Sequence, residues 1–305
     1  MDLRQLAALL AVADHGSFSA GARSLHTVQS NVSTHVARLE RELGVTLVDR
    51  AAGTITEEGQ VVVDRARRIR AELDALGSDV ASLRDEVHGS ARVGAIGTTA
   101  RWLVPLLVES LAQQHPKVHL VVVDATTSLL LPQLARGELD LAVANLPTGD
   151  AEVIEELLFD EDRIVVAPAD HPLAEESELT LAQLAEHELL LSAKGTVFRT
   201  ELDADADAAG VELRAKAEVD GLRLVASLAF QGYGAAVLPA SATPGYLDSG
   251  GRWVRIPVKG LAPRSVGLVV RRRGLPSAAA RAVRDVIRTA VRDHAQAQPG
   301  IHSAV

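Results

Sequence analysis

Five polar residues recur at helical spacing near the start of this 305-residue chain. They are Gln29, Ser30, Ser33, Thr34 and Arg38. Side chains of these types and sizes donate and accept hydrogen bonds at base edges and phosphate groups. The chemistry they indicate is recognition of duplex DNA. Two helices that merely pack together would show the same spacing, so the pattern alone leaves both interpretations open.

A second polar set follows an apolar run. The segment GAIGTTARW, from Gly94, places Thr98 and Thr99 at the start of a predicted helix. Free backbone N–H groups and hydroxyls at such a terminus can receive an anion, although threonine also caps helices without any ligand. Neither the dinucleotide glycine pattern nor the phosphate-loop lysine is present, which excludes a nucleotide loop of those types.

Catalytic and metal-binding patterns are weak. His115 and His119 are four residues apart but flank Pro116 at the entry to a strand, so they do not share a helical face as a metal pair would. Ser33 and His35 point to different sides of a helix. The sequence shows no paired carboxylates and no nucleophile elbow, and its lack of cysteine excludes disulfides and thiol catalysis. We expect a protein that is not an enzyme and has no cofactor or metal.

Short helices must position the first polar set. Apolar residues recur at helical spacing over three stretches, 3–13, 18–25 and 32–43. Gly16 and Ser17 end the first helix and cap the second, and residues 26–28 fit only a tight turn. This predicts a helix-turn-helix whose second helix begins near Gln29. Residues 45–56 then predict a strand, a turn and a strand, a small wing that could place Arg50 over a phosphate.

A heptad pattern follows the wing. Its apolar positions are Val62, Ala66, Ile69, Leu73, Leu76, Val80, Leu83 and Val87. Steps that alternate between four and three residues predict a coiled-coil seam shared with a second copy. The alternative is one amphipathic helix packed on its own domain. His88 and Gly89 are expected to end this helix.

From Ala91 onward strands and helices alternate, which is typical of an α/β fold. Strands are predicted at 91–96, 118–123, 139–144, 164–167, 188–191, 215–219, 235–238 and 265–271, and a last helix at Ser277–His294. The length suits two small lobes between which the chain crosses twice. The arginines from Arg271 to Arg292 are read as a solvated helix face, and residues 296–305 as a loose tail.

Several sequence motifs of this chain resemble those of one protein family. The run GSFSAGARSLHTVQSNVSTHVARLERELGVTLVDRAAGTITEEG, from Gly16, resembles the winged helix-turn-helix of LysR-type transcriptional regulators. Further runs resemble the effector-binding domain of that family: HP at His115, GELDLAV from Gly137, HPLA from His171 and GYGAAVLP from Gly232. The resemblance extends in order from Asp2 to at least Arg271.

The resemblance implies an α/β chain with a winged helix-turn-helix at 1–58, a linker and dimerisation helix at 59–89 and an effector domain at 90–295. Two lobes resembling type 2 periplasmic binding proteins would form the effector domain: lobe I at about 90–163 and 267–295, and lobe II at about 164–266. A tail at 296–305 would remain. A ligand-responsive, sequence-specific regulator of transcription is the function implied.

The resemblance also assigns residues. Gln29, Ser30, Ser33, Thr34 and Arg38 would approach DNA, with Arg50 on the wing. Besides Thr98 and Thr99, an effector would meet Thr126, Thr127, Ser128, Asn145, Thr196, Val197 and Phe198. Arg101 and Arg199 could add positive charge for an anionic effector, or could equally form surface ion pairs. Val28 stands where the family usually has serine, so Thr27 or Ser30 would have to cap the recognition helix.

Partners and compartment follow from the same considerations. We expect the protein to bind dyad-symmetric duplex DNA and a small-molecule effector, with an anion as the expected class. We also expect a homodimer that forms a tetramer, no contact with a membrane, and a location in the cytoplasm. The net charge is −9, and residues 1–88 hold 10 basic and 13 acidic groups, so non-specific DNA affinity should be weak. The alternatives are a small-molecule-binding protein without DNA function and a metabolic enzyme.

Overall fold

The N-terminal domain consists of three helices and a small wing. The computed structural model describes residues 1–82 and 87–305. Its first elements are α1 (Leu3–His15), α2 (Phe18–Ser24), α3 (Gln29–Leu43), β1 (Val48–Asp49) and β2 (Thr54–Ile55). The predicted helix-turn-helix and wing are confirmed. Leu9, Val36, Leu39 and Leu47 belong to the core that these elements share.

Close backbone contacts set the positions of these helices. A Cβ atom at Gly21 of α2 would lie 2.9 Å from the backbone carbon of Ala11, so only glycine allows α2 to approach α1 this closely. His26 adopts a left-handed φ of 51° in the tight turn before α3. The turn therefore reverses the chain within a few residues, and α3 crosses the other two helices with its apolar face inward.

The long helix α4 (Glu57–Ser82) is anchored on the wing. Thr56 Oγ1 accepts a hydrogen bond from the Gly59 N–H at 2.9 Å. A Cβ atom at Gly59 would lie 2.1 Å from the Leu47 carbonyl oxygen, so the first turn of α4 presses directly on the wing backbone. Val63 and Ala66, one turn further on, are buried in the N-terminal core.

Beyond its first two turns, α4 exposes apolar side chains. Ile69, Leu73, Leu76 and Val80 are 39%, 44%, 61% and 55% exposed. The predicted helix is confirmed as far as Ser82. Leu83 lies outside the described residues. Val87 lies outside any helix, contrary to the expectation that the seam continues to it, because the next strand already begins at Gly89.

Lobe I is built on a six-stranded sheet. Its strands are β3 (Gly89–Ala95), β4 (Val118–Asp124), β5 (Leu141–Leu146), β6 (Val153–Glu161), β13 (Arg264–Arg271) and β14 (Ile301–Ser303), in the order β14-β6-β13-β5-β3-β4. Its helices are α5 (Gly97–Gln114), α6 (Thr127–Arg136) and α10 (Ala278–His294). Strands β3, β4 and β5 pair in parallel, whereas β13 pairs antiparallel with β5 and β6.

Lobe II repeats this plan. Its strands are β7 (Arg163–Pro168), β8 (Leu179–Thr180), β9 (Glu188–Ser192), β10 (Arg214–Val219), β11 (Ala236–Pro239) and β12 (Trp253–Lys259), in the order β10-β9-β11-β7-β12-β8. Its helices are α7 (Leu181–Ala185), α8 (Val197–Ala208) and α9 (Leu222–Phe230). Apolar side chains fill both faces of this sheet.

The chain crosses between the lobes twice, as predicted. It leaves lobe I after Glu161 and returns at Arg264, and these two residues are paired across β6 and β13. The crossing points differ slightly from the expected boundaries. Arg163 already belongs to the lobe II sheet, and residues 264–266 already belong to lobe I, because their backbone hydrogen bonds lie in those sheets.

Two expectations about the sheets need correction. The eight predicted strands are present, but β6, β8, β12 and β14 are not predicted by the sequence pattern. Residues 296–305 are not a loose tail, because Ile301, His302 and Ser303 form a strand that pairs antiparallel with β6. Ile301 is buried in lobe I. A polar segment gains a fixed position here because it completes a sheet edge, which local composition cannot reveal.

Candidate nucleic-acid interface and effector cleft

The exposed face of α3 carries most of the predicted DNA-contacting residues. Because Val32, Val36 and Leu39 are buried, the opposite face presents Ser30, Thr34 and Arg38 to solvent. Gln29 and Ser33 lie at the flank of that face, and the Gln29 side chain accepts a hydrogen bond from Ser19 Oγ at 2.8 Å. The helix thus brings the five predicted residues onto one side of the domain.

Arg41 extends this face by one turn and was not singled out by the sequence pattern. It is exposed, and on a helix it lies on the same side as Ser30 and Thr34. Its only described hydrogen bond runs to the Ala37 carbonyl oxygen, at 3.4 Å, within its own helix. The signal that could have indicated it is the same periodicity that selects Arg38.

The N-terminus of α3 lacks the expected side-chain cap. Val28 is the N-cap residue and makes no side-chain hydrogen bond to the helix. Thr27 Oγ1 instead accepts from Asn31 Nδ2 at 3.0 Å, so neither Thr27 nor Ser30 caps the helix as predicted. The positive end of the helix dipole therefore remains open to an anion such as a phosphate group.

The wing folds back onto α3 through Arg50. Its Nη1 atom lies 3.4 Å from Ser33 Oγ and its Nη2 atom 3.4 Å from Glu40 Oε2, while its guanidinium carbon lies 5.4 Å from the centre of the Phe18 ring. Half of the Arg50 side chain remains exposed. Arg50 therefore lies beside the recognition face, with its charge partly offset by Glu40.

The arginines of the C-terminal helix α10 form ion pairs with acidic side chains. Each of four arginines on α10 lies within ion-pair distance of an acidic group: Arg281 with Asp79, Arg284 with Asp285, Arg288 with Glu156 and Arg292 with Asp293. Arg271 donates to the carbonyl oxygens of Leu134 and Leu139. These contacts favour a structural role for this helix face over the freely solvated face that the sequence predicts.

The winged domain, the linker helix α4 and lobe I are in contact through the guanidinium group of Arg67. Arg67 of α4 lies 2.6 Å from Asp14 at the end of α1 and 2.7 Å from Glu138 in the turn before β5. Glu138 also accepts from Arg136 at 3.1 Å. A polar cavity of about 850 Å³ surrounds this junction. Arg67 thus connects the winged domain, the linker helix and lobe I.

Four helices of the two lobes begin where strands end. In both sheets the helices α5, α6, α8 and α9 begin just beyond the carboxyl ends of parallel strands, which is where open α/β sheets bind ligands. Gly97 is the first residue of α5, and Thr126 precedes α6 without a side-chain cap hydrogen bond. In lobe II the Thr196 side chain caps α8. The predicted effector residues all belong to these helix starts or to the strand ends beside them.

Thr98 and Thr99 lie at the start of α5, as predicted, but they are not exposed. Thr98 Oγ1 accepts a hydrogen bond from Arg264 Nη2 at 3.2 Å, so its hydroxyl already has a partner. Thr99 is fully buried, and its hydroxyl has no hydrogen-bond partner among the described residues. Of the two, Thr99 retains the free hydroxyl.

The loop after β4 and the end of β5 form the second wall of lobe I. Thr127 Oγ1 accepts a hydrogen bond from the Asn145 N–H at 3.1 Å, and the hydroxyls of Thr126 and Ser128 are 3.0 Å apart. Asn145 Oδ1 is buried and lacks a partner within the described chain. The structure therefore brings the four predicted residues together and leaves one acceptor available.

The lobe II residues divide between surface and core. Thr196 Oγ1 accepts from the Arg199 N–H at 3.3 Å and donates to the Ala193 carbonyl oxygen at 2.8 Å. Val197 is exposed, but Phe198 is buried in the lobe II core, with its ring centre 5.8 Å from the guanidinium carbon of Arg264. Phe198 therefore packs in the lobe II core beside the crossing point at Arg264 and does not line an open surface.

A buried ion pair joins both crossing points. Arg264, where the chain re-enters lobe I, donates to Glu161 Oε1 from Nε at 2.8 Å, and both side chains are buried. Glu161 Oε2 accepts from the Ser241 N–H of lobe II at 2.9 Å. Breaking a buried pair leaves an uncompensated charge. In the sequence, this ion pair is indicated only by the charged residues Glu161 and Arg264 at the ends of largely apolar strands.

Neither arginine expected to attract an anionic effector is free. Arg199 is buried and donates to Asp203, to Glu218 and to the Ser192 carbonyl oxygen. Arg101 donates to the Ala242 carbonyl oxygen at 3.2 Å and stacks on Phe230 at 5.6 Å, so it holds the lobes together. Both guanidinium groups are thus engaged in contacts within the protein, which is the second of the two interpretations of these arginines.

Arg223, which the sequence pattern does not indicate, forms an ion pair between the two lobes. Its Nη1 atom lies 2.5 Å from Asp124 Oδ2, and 58% of its side chain is exposed. Arg223 is in the first turn of α9 and Asp124 ends β4, so this ion pair spans the two lobes. Its partner is distant in sequence, and a lone arginine after a glycine gives no periodic signal.

Comparison with known proteins agrees with this architecture. Residues 3–60 match the bacterial regulatory helix-turn-helix domain of the lysR family, and residues 84–292 match the LysR substrate binding domain. Among the described residues, no helix is long and apolar enough to cross a membrane.

Individual relatives extend the match over almost the whole chain. The DNA-binding transcriptional dual regulator OxyR of Escherichia coli K12 is 30% identical over 89% of this chain and 90% of its own. The RuBisCO operon transcriptional regulator of Allochromatium vinosum is 30% identical over 90% and 91%. The structure of a cysteine-to-aspartate variant of full-length OxyR from Pseudomonas aeruginosa superposes with a TM-score of 0.74, at 26% identity over 96% and 95% of the two chains. The chain belongs to the LysR family, and it is a DNA-binding transcriptional regulator with an effector-binding domain.

Proposed function

We propose that this regulator binds a dyad-symmetric promoter site as a homodimer paired through α4, and that dimers associate further into a tetramer. The observation that supports pairing is the exposed apolar stripe of Ile69, Leu73, Leu76 and Val80. Such a stripe is unfavourable in water and fits the seam of a second helix. A two-fold axis that relates the two copies of α4 gives the dimer the symmetry of a dyad DNA site, whose half-sites lie one helical turn of about 34 Å, or a multiple of it, apart.

The proposed DNA contacts divide into two kinds. Gln29, Ser30, Ser33, Thr34 and Arg38 would face the major groove and read bases or hold phosphates. Arg50 would bind a phosphate from the wing, since half of its side chain is exposed beside Ser33. The negative charge of the domain as a whole suggests that a single copy binds weakly, so affinity depends on several copies that bind together.

The proposed effector site is the cleft between the lobes. Thr99, Thr127, Asn145 and Thr196 would contribute polar groups, with Thr98, Thr126, Ser128, Val197 and Phe198 beside them. The two relatives are named for different regulated systems, so neither name transfers an effector to this chain. Because the chain contains no cysteine, its switch cannot be a thiol and is instead the occupancy of this cleft.

A gel shift with the DNA upstream of the protein's own gene tests the proposal. We expect a sequence-preferring shift that weakens as salt rises, and a changed pattern when a metabolite that stabilises the protein in a thermal-shift assay is added. Binding that is equal on scrambled DNA, or the absence of any shift, would contradict it. The cytoplasm, where promoter DNA lies, is the proposed compartment.

A further inference from the structure

An exposed valine begins the recognition helix. Val28 is the N-cap residue of α3, and its exposed fraction is 60%. Its side chain makes no hydrogen bond to the helix, and valine is among the least favourable N-cap residues because it offers no acceptor to the free N–H groups. The side chain also lies outside the apolar core of the winged domain. Val28 therefore contributes neither to helix capping nor to core packing.

The backbone on both sides of Val28 is held in place. The Thr27 N–H donates to the Ala22 carbonyl oxygen at 2.9 Å, and the Asn31 N–H donates to the Val28 carbonyl oxygen at 3.1 Å. Asn31 Nδ2 also donates to Thr27 Oγ1 at 3.0 Å. Because valine branches at Cβ, its χ1 angle is restricted as well. The isopropyl group is thus presented to solvent in a fixed position, and it loses little conformational freedom when another surface covers it.

Val28 lies at the end of the helix that reads bases. In helix-turn-helix proteins the first residues of the recognition helix contact base edges in the major groove. Val28 directly precedes Gln29, whose amide is hydrogen-bonded to Ser19. Gln29, Ser30 and Ser33 present hydrogen-bond donors and acceptors at this end of α3. Val28 adds an exposed apolar group to these polar ones.

The major groove of duplex DNA offers an apolar group at one base. That group is the C5 methyl of thymine, which apolar side chains contact, whereas the other base edges present hydrogen-bond donors and acceptors. A valine that packs on the methyl removes apolar surface of both groups from water. The same valine gains nothing from a cytosine, which has only a hydrogen atom at C5.

We propose that Val28 is a specificity-determining residue and that it contacts the methyl group of one thymine in each half-site. This inference rests on the proposed DNA contacts of α3 and adds an apolar contact to its polar ones. Two other roles would behave differently. A valine against a deoxyribose would support binding to every sequence alike, and a surface valine without a DNA contact would affect none.

The test removes the apolar group from either partner. The DNA is the site upstream of the protein's own gene, with thymines replaced by uracil at one pair of equivalent positions in the two half-sites at a time. Uracil differs from thymine only in the missing methyl group, so pairing with adenine is kept. The protein is the full chain as wild type, Val28→Ser and Val28→Thr. Val108→Ser is the matched control, because Val108 is 56% exposed on α5 of lobe I, outside the winged domain.

We expect one thymine per half-site at which uracil weakens wild-type binding, by about fourfold for each half-site, as the burial of one methyl group predicts. Val28→Ser should bind thymine and uracil DNA equally, whereas Val28→Thr, which keeps one methyl group, should retain part of the difference. Val108→Ser should discriminate as wild type does. Fluorescence anisotropy at constant salt measures each Kd.

A thermal-shift measurement excludes misfolding as the cause. Serine is a favourable N-cap residue, so Val28→Ser should be at least as stable as wild type. The inference is overturned if no thymine of the site is sensitive to uracil in wild type, or if Val28→Ser keeps the full difference. It is also overturned if Val28→Ser weakens binding to thymine, uracil and scrambled DNA equally, since Val28 would then contact the sugar–phosphate backbone.

The wild-type measurements separate this inference from the proposed function. Sequence-preferring binding that ignores the thymine methyl leaves the proposed function intact and removes only the role of Val28. Equal binding to the site and to scrambled DNA contradicts the proposed function itself, and the role of Val28 falls with it.

Discussion

At the scale of single residues, Arg50 and Gln29 represent two kinds of DNA contact. Arg50 presents a half-exposed guanidinium from the wing, whereas Gln29 lies at the start of α3 with its amide bonded to Ser19. A guanidinium on a phosphate carries no sequence information, but an amide in the major groove can read adenine. Mutating the two residues should therefore change different properties.

Arg50→Ala is expected to weaken binding to specific and scrambled DNA alike and to reduce the slope of log K against log salt by about 1 per contact. Gln29→Ala should keep that slope and relax the base preference. Fluorescence anisotropy over a salt series on both DNAs measures each effect. An equal loss of specificity from both variants would contradict this division.

His171 should make stability depend on pH. Burial lowers its pKa below the usual 6.5, and the charge of His187, whose ring centre is 5.3 Å away, lowers it further. Nδ1 of His171 also accepts the Leu173 N–H at 3.2 Å, which requires the unprotonated nitrogen. Because the folded pKa lies below the unfolded one, protonation favours the unfolded chain.

The free energy of unfolding should therefore fall as pH drops through about 6.5 and level off below the folded pKa of His171. His187→Gln should make this loss smaller, since it removes the neighbouring charge but leaves the burial. Urea denaturation at several values between about pH 7.5 and pH 5 measures it. A loss of equal size in both proteins would show that His187 has no part in it.

At the scale of elements, α4 is a helix whose apolar side chains are exposed to solvent in the single chain. Leu76 is 61% exposed in the single chain, so it contributes nothing to the described cores. Leu76→Asp should therefore leave the subunit folded and move the dimer to monomer, because a carboxylate in a coiled-coil seam is desolvated. Sedimentation velocity gives the mass, and circular dichroism gives the fold.

Gly77→Ala is the matched control for that experiment. A Cβ atom at Gly77 meets nothing within 4 Å, and alanine stabilises a helix interior by about 1 kcal/mol relative to glycine. This variant should dimerise at least as well as wild type. If Leu76→Asp dimerises equally well, α4 is not the seam.

The elements also show how far sequence reasoning reaches. Periodicity and glycine placement predict α3, α4, α10 and eight strands, since each depends on its own local pattern. They miss β6, whose strand carries four acidic residues, and β14, which is short and polar. Those strands exist because neighbouring strands offer hydrogen bonds, which no local window contains.

The same limit applies to the site. The helix starts at Thr98 and Thr196 are readable because glycine or threonine follows a strand. The hydrogen-bond and ion-pair partners in this region cannot be predicted from local sequence. Arg264, which donates to Thr98, is 166 residues away, and Arg223 pairs with Asp124 of the other lobe. Residue positions were predictable; which hydroxyls and guanidinium groups remain free was not.

At the scale of the whole molecule, Arg67 is the contact through which the domains influence one another. It pairs with Asp14 of α1 and with Glu138 of lobe I, and only 16% of its side chain is exposed. A movement of lobe I therefore changes a contact of the winged domain directly. Lysine could not hold both carboxylates in the same geometry, since it lacks the planar fork of arginine.

Arg67→Ala is expected to cost about 1–2 kcal/mol locally, as two partly buried charge contacts are lost. Amide exchange should become faster at the end of α1 and around Glu138, while the lobe II core around Val165 should not change. Hydrogen-exchange mass spectrometry on wild type, Arg67→Ala and Arg67→Lys measures this. Faster exchange in lobe II would point to general destabilisation instead.

The tight seating of Gly59 against the Leu47 carbonyl gives α4 a mechanical role. Because a side chain at position 59 would collide with the wing, the winged domain cannot pivot freely on the helix and must turn with it. A helix of 26 residues is about 39 Å long, so a tilt of about 10° at the lobe I end would displace the recognition helix by about 7 Å. DNA rises about 3.4 Å per base pair, so that displacement corresponds to about two base pairs of half-site spacing. A small rearrangement at the far end of α4, where Asp79 lies 3.1 Å from Arg281 of lobe I, is therefore enough to change which operator spacing the paired subunits fit.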